Sequence, residues 1–215
     1  GLSMIYLALN TNPAVSEITA NKKFRQAVQY AIDYKGLNEN VLGGYAVQPP
    51  SVLPIGFIGA ETVKPIERDV EKAKELLTEA GYPDGVTLDV HYATMSQFGI
   101  DFGILWQKLQ SDLAEAGITI NLLPEEFSVF IAGYRAGEYP FVNGWQTPDY
   151  PDSNANAGPF ASETGVFAKR MSYVNPVNDE LISKSLAATD PAEREAAYGE
   201  LLKSINEDAV FIGVS

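Results

Sequence analysis

Apolar residues in the middle of the chain recur at two alternating periods. Val70, Ala73, Leu76, Leu77 and Ala80 follow the spacing of one helical face, opened by Asp69 as a capping side chain and closed by Gly81, which suits a left-handed stop. Past the turn Pro83-Asp84-Gly85 the period drops to two, with Val86, Leu88, Val90 and Tyr92 on one face of a strand. Helical spacing returns with Ile104, Leu105, Leu109 and Leu113 up to Gly117, and Ile118, Ile120 and Leu122 then alternate again. A shorter helix carries Phe127, Phe130, Ile131 and Tyr134 to Gly137, and Tyr139 to Trp145 reads as a third strand. The order is β-α-β-α-β, which predicts a parallel sheet with right-handed crossovers and an α/β fold class.

The flanks add helices and one long connection. A helix is expected around Phe24 to Tyr34, apolar at Ala27, Val28, Ala31 and Ile32, followed by a Gly/Pro-rich stretch from Gly43 to Gly59 that reads as loop or short strand. Further helices are expected near Asp179 to Ala188 and from Pro191 to about Asn206. The second has Asp190 as cap, Pro191 at its first position and Glu193 at its third. Val210 to Val214 closes the chain as a strand. The longest loop, Gln146 to about Val174, is where function is sought.

Composition narrows the classes. With 215 residues, 46% hydrophobic and 11% aromatic, the chain can bury a sizeable core, and 31 Gly and Pro residues are too few for a fibrous or low-complexity chain. A net charge of −13 repels phosphate backbones and anionic membrane surfaces, so no nucleic-acid partner is expected. No cysteine is present, which removes thiolate catalysis, Cys/His zinc sites and disulfides. The one histidine, His91, lies in an alternating run without a serine elbow and reads as a strand residue. No run approaches the ~18 apolar residues of a membrane span, and the first residues lack both a basic region and a cleavage site, so a soluble chain is expected.

Ligands of open α/β sheets sit beyond the carboxyl ends of the strands, and the third strand ends at Trp145 before Gln146-Thr-Pro-Asp-Tyr-Pro-Asp152. Trp145 and Tyr150 can form a flat apolar wall and Asp149 can meet a cationic or hydroxyl group. A loop stiffened by proline that folds its aromatics onto the core fits equally well, and both readings stay open here. Other motifs fail on chemistry. Asp149 and Asp152, three apart on one loop, do not straddle a sugar as a glycosidase pair must. Asp152, Asn154, Asn156 and Glu163 partly match a calcium loop, but Ala157 stands where the sharp turn wants glycine. Gly43-Gly44 and Gly56 to Gly59 lack the lysine and the helix start of a phosphate cradle and read as turns. No cofactor or metal site is expected.

Three separated blocks share one resemblance. Lys23 to Asp33, Asp69 to Gly85 and Leu109 to Ile118, in this order and spacing, resemble the family 5 extracellular solute-binding proteins, the peptide, nickel and oligosaccharide receptors of ABC importers. Trp145 with Asp149-Tyr-Pro-Asp152, and Asn178-Asp179 with Arg194 and Tyr198, extend the resemblance over nearly the whole chain. It implies the C-terminal lobe of a type II periplasmic-binding-protein-like fold, a mixed sheet flanked by helices, with residues 1–215 as a single lobe and the N-terminal lobe outside this chain. It implies a non-enzymatic, monomeric, extracytoplasmic receptor that captures a small peptide or oligosaccharide between two lobes and meets a membrane permease.

In peptide-binding members an aspartate just after the family's tryptophan pairs with the ligand's α-ammonium, which Asp149 would inherit, with Trp145 and Tyr150 lining the cleft. The usual separation is three. Here Trp145 and Asp149 are four apart, with Pro148 as the extra residue, and sugar- or opine-binding members do not need that carboxylate. Two rivals stand beside this reading. A carboxylate-dependent hydrolase needs two carboxyl groups across one cleft, and an acidic protein-interaction domain needs only a stable fold with its surface charge.

Overall fold

A computed structural model describes residues 2–215. The central element is β1 (Met4–Leu9), buried along all six residues. It pairs antiparallel with β6 (Phe141–Gln146) on one edge and with β7 (Phe211–Gly213) on the other. Because side chains alternate across a strand, Ile5, Leu7 and Leu9 enter one core while Met4, Tyr6 and Ala8 enter another.

The first core lies under α2 (Lys22–Ala31), α4 (Val70–Glu79) and α5 (Phe102–Glu115), together with the parallel pair β2 (Val86–Ala93) and β5 (Ile118–Glu125). Asp69 caps α4 through the Lys72 amide, and Val90, Leu88 and Tyr92 point inward from β2 as the alternation requires. Trp106 is fully buried, and its indole N–H donates to Asn143 Oδ1 at 2.8 Å, joining α5 to β6. The short helices α1 (Glu17–Ala20) and α3 (Tyr34–Asn40) flank this layer.

The second core is closed by α6 (Phe127–Ala136), α7 (Asn154–Ala161), α8 (Val166–Arg170), α9 (Pro176–Ala187) and α10 (Pro191–Asp208). Tyr6 is its hub: its ring meets Phe160 edge-on at 4.9 Å between centroids and lies 5.5 Å from Phe167, and its hydroxyl bonds Tyr134 Oη at 2.8 Å. Burial first, then the neighbouring Tyr134 phenol, holds the Tyr6 hydroxyl protonated far above its usual range.

Four expectations change. The third strand does not extend the parallel pair; β6 is hydrogen-bonded antiparallel to β1, because a strand buried on both faces must satisfy its backbone groups on both edges. Strand pairing is therefore mixed, divided between a parallel pair and an antiparallel triple. The segment from Gln146 to Val174 is not a bare loop but holds α7 and α8, whose Ala, Gly and Pro content hides the helical period. Ile104 does not belong to the inner face of α5 but is 53% exposed; Asp101 caps the helix, and Phe102, Leu105, Trp106, Leu109 and Leu113 face inward. The helix around Phe24 to Tyr34 is two helices, because the Asp33 carboxylate caps α3 at the Gly36 amide.

Gly144 pairs with Tyr6 across β1 and β6, and a Cβ added there would collide with the Tyr6 ring. Gly144→Ala should lower the unfolding free energy by about 1–3 kcal/mol, the usual cost of overpacking. Urea unfolding checks this, with the midpoint falling and the slope unchanged.

Candidate binding face at the open end of the sheet

β1 begins and β6 ends at the same edge of the fold, since Met4 faces Gln146 across the ladder. Ser3 Oγ and Thr147 Oγ1, 2.9 Å apart, carry this pairing one step beyond the strands. The segment after β6 is thereby anchored at its start, and Pro148 is buried while Asp149, Tyr150 and Pro151 are exposed.

Trp145 is half-buried. Its register opposite Ile5 turns it toward the first core, where its ring lies 5.7 Å from Phe102 and 6.3 Å from Phe127. Phe127 opens α6 and is itself 40% exposed, so the Trp145–Phe127 pair reaches the surface as an aromatic edge. Tyr150 is 50% exposed and stands away from both cores. The Asp149 carboxylate has no hydrogen bond or ion pair among the described residues. The fold brings these three residues to one end of the sheet, with Trp145 on the core and Asp149 and Tyr150 on the exposed loop.

Asp152 has a different role. Both its carboxylate oxygens accept from Arg194 Nη2, at 2.9 and 2.8 Å, and Oδ1 also accepts from the Asn154 amide. Burial alone would raise the Asp152 carboxyl, but the Asn154 amide and the Arg194 guanidinium outweigh it and hold the group below its ordinary value. A carboxylate tied into a helix start and an ion pair is not a partner for Asp149 in hydrolysis. The neighbouring polar residues are also engaged: Ser153 donates to the Ile58 carbonyl at 2.7 Å and Asn156 to the Val52 carbonyl at 2.8 Å. These two bonds clamp the ends of the 52–58 segment.

That clamp shapes a feature that the sequence does not announce. A cavity of about 750 Å³ opens at this edge, between Pro54 and Ile55 of the clamped segment, the 41–49 loop, Ser3 and Met4 of the β1 edge, and Phe98 to Ile100. Its volume is that of a small-ligand pocket. It lies beside the Trp145–Tyr150 segment rather than around it, and none of Trp145, Asp149 and Tyr150 lines it. Gly43, Gly44, Gly56 and Gly59 all have positive φ, as turns do, but a pattern of turns does not signal that they enclose a cavity.

His91 is a strand residue held by its surroundings. Its Nδ1 lies 2.7 Å from Glu125 Oε1, and its ring stacks on Tyr139 at 4.3 Å, while the Tyr139 hydroxyl donates to Glu125 Oε2 at 2.5 Å. The triad joins β2, β5 and the connection between α6 and β6, away from any serine nucleophile arrangement, and burial together with Glu125 pushes the Tyr139 phenol up.

The family model for bacterial extracellular solute-binding proteins, family 5 Middle, matches residues 1–168. The chain belongs to this family. Family 5 members are solute-binding receptors rather than enzymes, and the chain belongs outside the cytoplasm, as its periplasmic relatives do. The nickel-binding periplasmic protein of Escherichia coli (strain K12) is 26% identical over 230 residues, covering 100% of this chain and 43% of the relative. The periplasmic binding protein DppA of Helicobacter pylori, solved in complex with the peptide STSA, superposes with a TM-score of 0.85 at 25% identity, over 100% of this chain and 41% of that one. A solved peptide-binding protein of a peptide ABC transporter matches with a TM-score of 0.83 at 25% identity, over 100% of this chain and 98% of that one. The chain thus spans about two fifths of the curated relative it matches and of the DppA structure, and nearly all of the third protein.

The two aspartates of the family 5 loop separate experimentally. Arg194→Met should lower stability by about 1 kcal/mol at neutral pH, because solvent still reaches both partners of the pair. Asp152 has a depressed folded value, so its contribution is present above the ordinary carboxyl value and is lost as pH falls through the folded one. The gap between wild type and Arg194→Met should therefore begin to narrow only below about pH 4 in thermal melts and close as pH falls through the depressed folded value. Asp149→Asn should leave stability at neutral pH unchanged, since the exposed carboxylate has no hydrogen bond or ion pair among the described residues.

Proposed function

We propose that this chain is one lobe of a two-lobed receptor that captures a small peptide or an oligosaccharide in the cleft between lobes and hands it to the permease of an ABC importer. The observation that carries this reading is the open end of the sheet: an aromatic edge at Trp145, an exposed Tyr150, an unpaired Asp149 and an adjoining cavity all lie on one face. The peptide-bound DppA structure supports the ligand class, and the shared two fifths of the longer relatives support the half-receptor organisation, with the N-terminal lobe supplied from outside residues 1–215.

Asp149 supplies a negative group for a ligand ammonium, and Trp145 and Tyr150 supply flat surfaces for its body. Pro148, buried under the loop, displaces Asp149 one residue further from Trp145 and holds it outward. Hinge closure would act through contacts that a ligand makes with both lobes only in the closed state, which shift the equilibrium toward that state. The ligand leaves unchanged, and the receptor works as a monomer.

Calorimetry on the complete receptor tests the reading. Asp149→Ala should weaken binding of a peptide with a free amino terminus by about 2–5 kcal/mol, the cost of removing one partner of a desolvated charge pair. An unchanged affinity returns Asp149 to a solvated loop carboxylate.

Residues 1–215 alone should unfold cooperatively, since they carry their own two cores. Pockets enclose about 70–90% of a ligand's surface, and one lobe covers a single side, so a ligand held at about 1 μM by the whole receptor should fall toward millimolar here. Titration of the isolated chain checks this, and micromolar binding would contradict the two-lobe mechanism.

A further inference from the structure

Glu125 ends β5 and receives donors from separate parts of the chain. His91 of β2 brings Nδ1 to 2.7 Å from Oε1, and Tyr139, between α6 and β6, donates its hydroxyl to Oε2 at 2.5 Å. The carboxylate only accepts, so the hydrogen between His91 and Glu125 belongs to Nδ1. The side chains of His91 and Glu125 are 23% and 19% exposed and Tyr139 is buried, unlike a solvated surface pair. The Glu125 carbonyl is held as well. Thr94, just before the hairpin of β3 (Ser96–Gln97) and β4 (Ile100–Asp101), donates both its amide and its hydroxyl to it. Desolvation offsets much of what such a network gains, so its consequence lies in the geometry it fixes.

That geometry is the seat of α6. The Tyr139 ring stacks on His91 at 4.3 Å, 8° from parallel, and lies 5.8 Å from the Phe130 ring of α6 at 22°. A Cβ on Gly133 would stand 2.4 Å from the Tyr139 ring, so α6 rests on Tyr139 as closely as a glycine allows. Phe127, Phe130 and Tyr134 are spaced by three and four and share one face of the helix. Setting Phe130 against Tyr139 therefore sets the direction of Phe127 one turn earlier, whose ring lies 6.3 Å from Trp145. A helix rotated by one residue would swing Phe127 through about 100°. Phe127 is also tied to Glu125 along the chain, two residues on, across the Glu126 cap.

We propose that Glu125, gripped by His91 and Tyr139, is a positioning residue for the solute face: it seats α6 so that Phe127 supports the Trp145 ring. The use of Trp145 by a ligand rests on the receptor reading above, whereas the seating of α6 does not and is measured without a ligand. A network that only stabilised the junction of β2 and β5 would lower the melting temperature when cut and leave Trp145 in place.

The 215-residue chain holds two tryptophans, so indole N–H resonances separate Trp145 from Trp106, which is fully buried, bonded to Asn143 and serves as internal reference. Phe127→Leu records the displacement of the Trp145 signal when the supporting ring is removed. Glu125→Ala should produce most of that displacement in the same direction with Trp106 unmoved, and should add little to it in the double variant, as residues acting through one contact do. Glu125→Gln, whose amide can accept from Tyr139 and donate to His91, should return the signal to its wild-type position. Tyr139→Phe keeps the ring and loses one donor, so it folds even where Glu125→Ala does not, and should move Trp145 the same way by less. A Trp145 signal that stays in place in these variants while the thermal midpoint falls overturns the positioning role, as does a common shift of both tryptophans. Either result leaves the receptor reading standing, which peptide calorimetry on the complete receptor decides by itself.

Discussion

The fold depends on a strand that has no free side. Met4 to Leu9 is buried on both faces, paired along its whole length with β6 and through Tyr6 to Ala8 with β7, so nearly all of β1 is fixed by its neighbours. A slip of one residue against β6 would move Trp145 into the Tyr6 core and bring a side chain where Gly144 must leave room for the Tyr6 ring. The register is fixed by that exchange. Trp145 therefore ends the strand against Phe102 and Phe127, and the chain leaves the sheet at the edge where β1 begins.

Beyond β6 the chain divides into a free part and a fastened part within eight residues. Asp152, Ser153 and Asn156 are tied to Arg194, Ile58 and Val52, and these bonds hold α7 and the 52–58 segment as one wall. Asp149 and Tyr150, just before them, are left exposed on a rigid base. Such an arrangement suits recognition, because a charge positioned by its surroundings and not already paired keeps its electrostatic free energy for a ligand.

Local pattern reveals the parts of this structure that local forces make. The Asp69 cap, the Gly81 stop, the alternation of β2 and the Pro191 helix are all visible, because each depends on residues within one turn or one pleat. The family blocks are legible for the same reason. The partner of β6 is not, since Trp145 meets Ile5 across nearly the whole matched segment and nothing near residue 145 encodes that distance. The helices α7 and α8 are hidden by their composition: Ala155, Ala157 and Ala161 are buried through small side chains that leave little hydrophobic period. The cavity is hidden because glycine and proline turns around Gly43 to Gly59 say where a chain bends, not what the bends enclose.

The open end of the β6-β1-β7 sheet is, on this account, the face turned toward a solute held between two lobes. A crystal structure of the complete receptor with a bound peptide tests this most directly. The expected result places the ligand ammonium within hydrogen-bond distance of Asp149 and its body against Trp145 and Tyr150. A ligand bound elsewhere, with Asp149 and Trp145 facing solvent in the closed receptor, would contradict it.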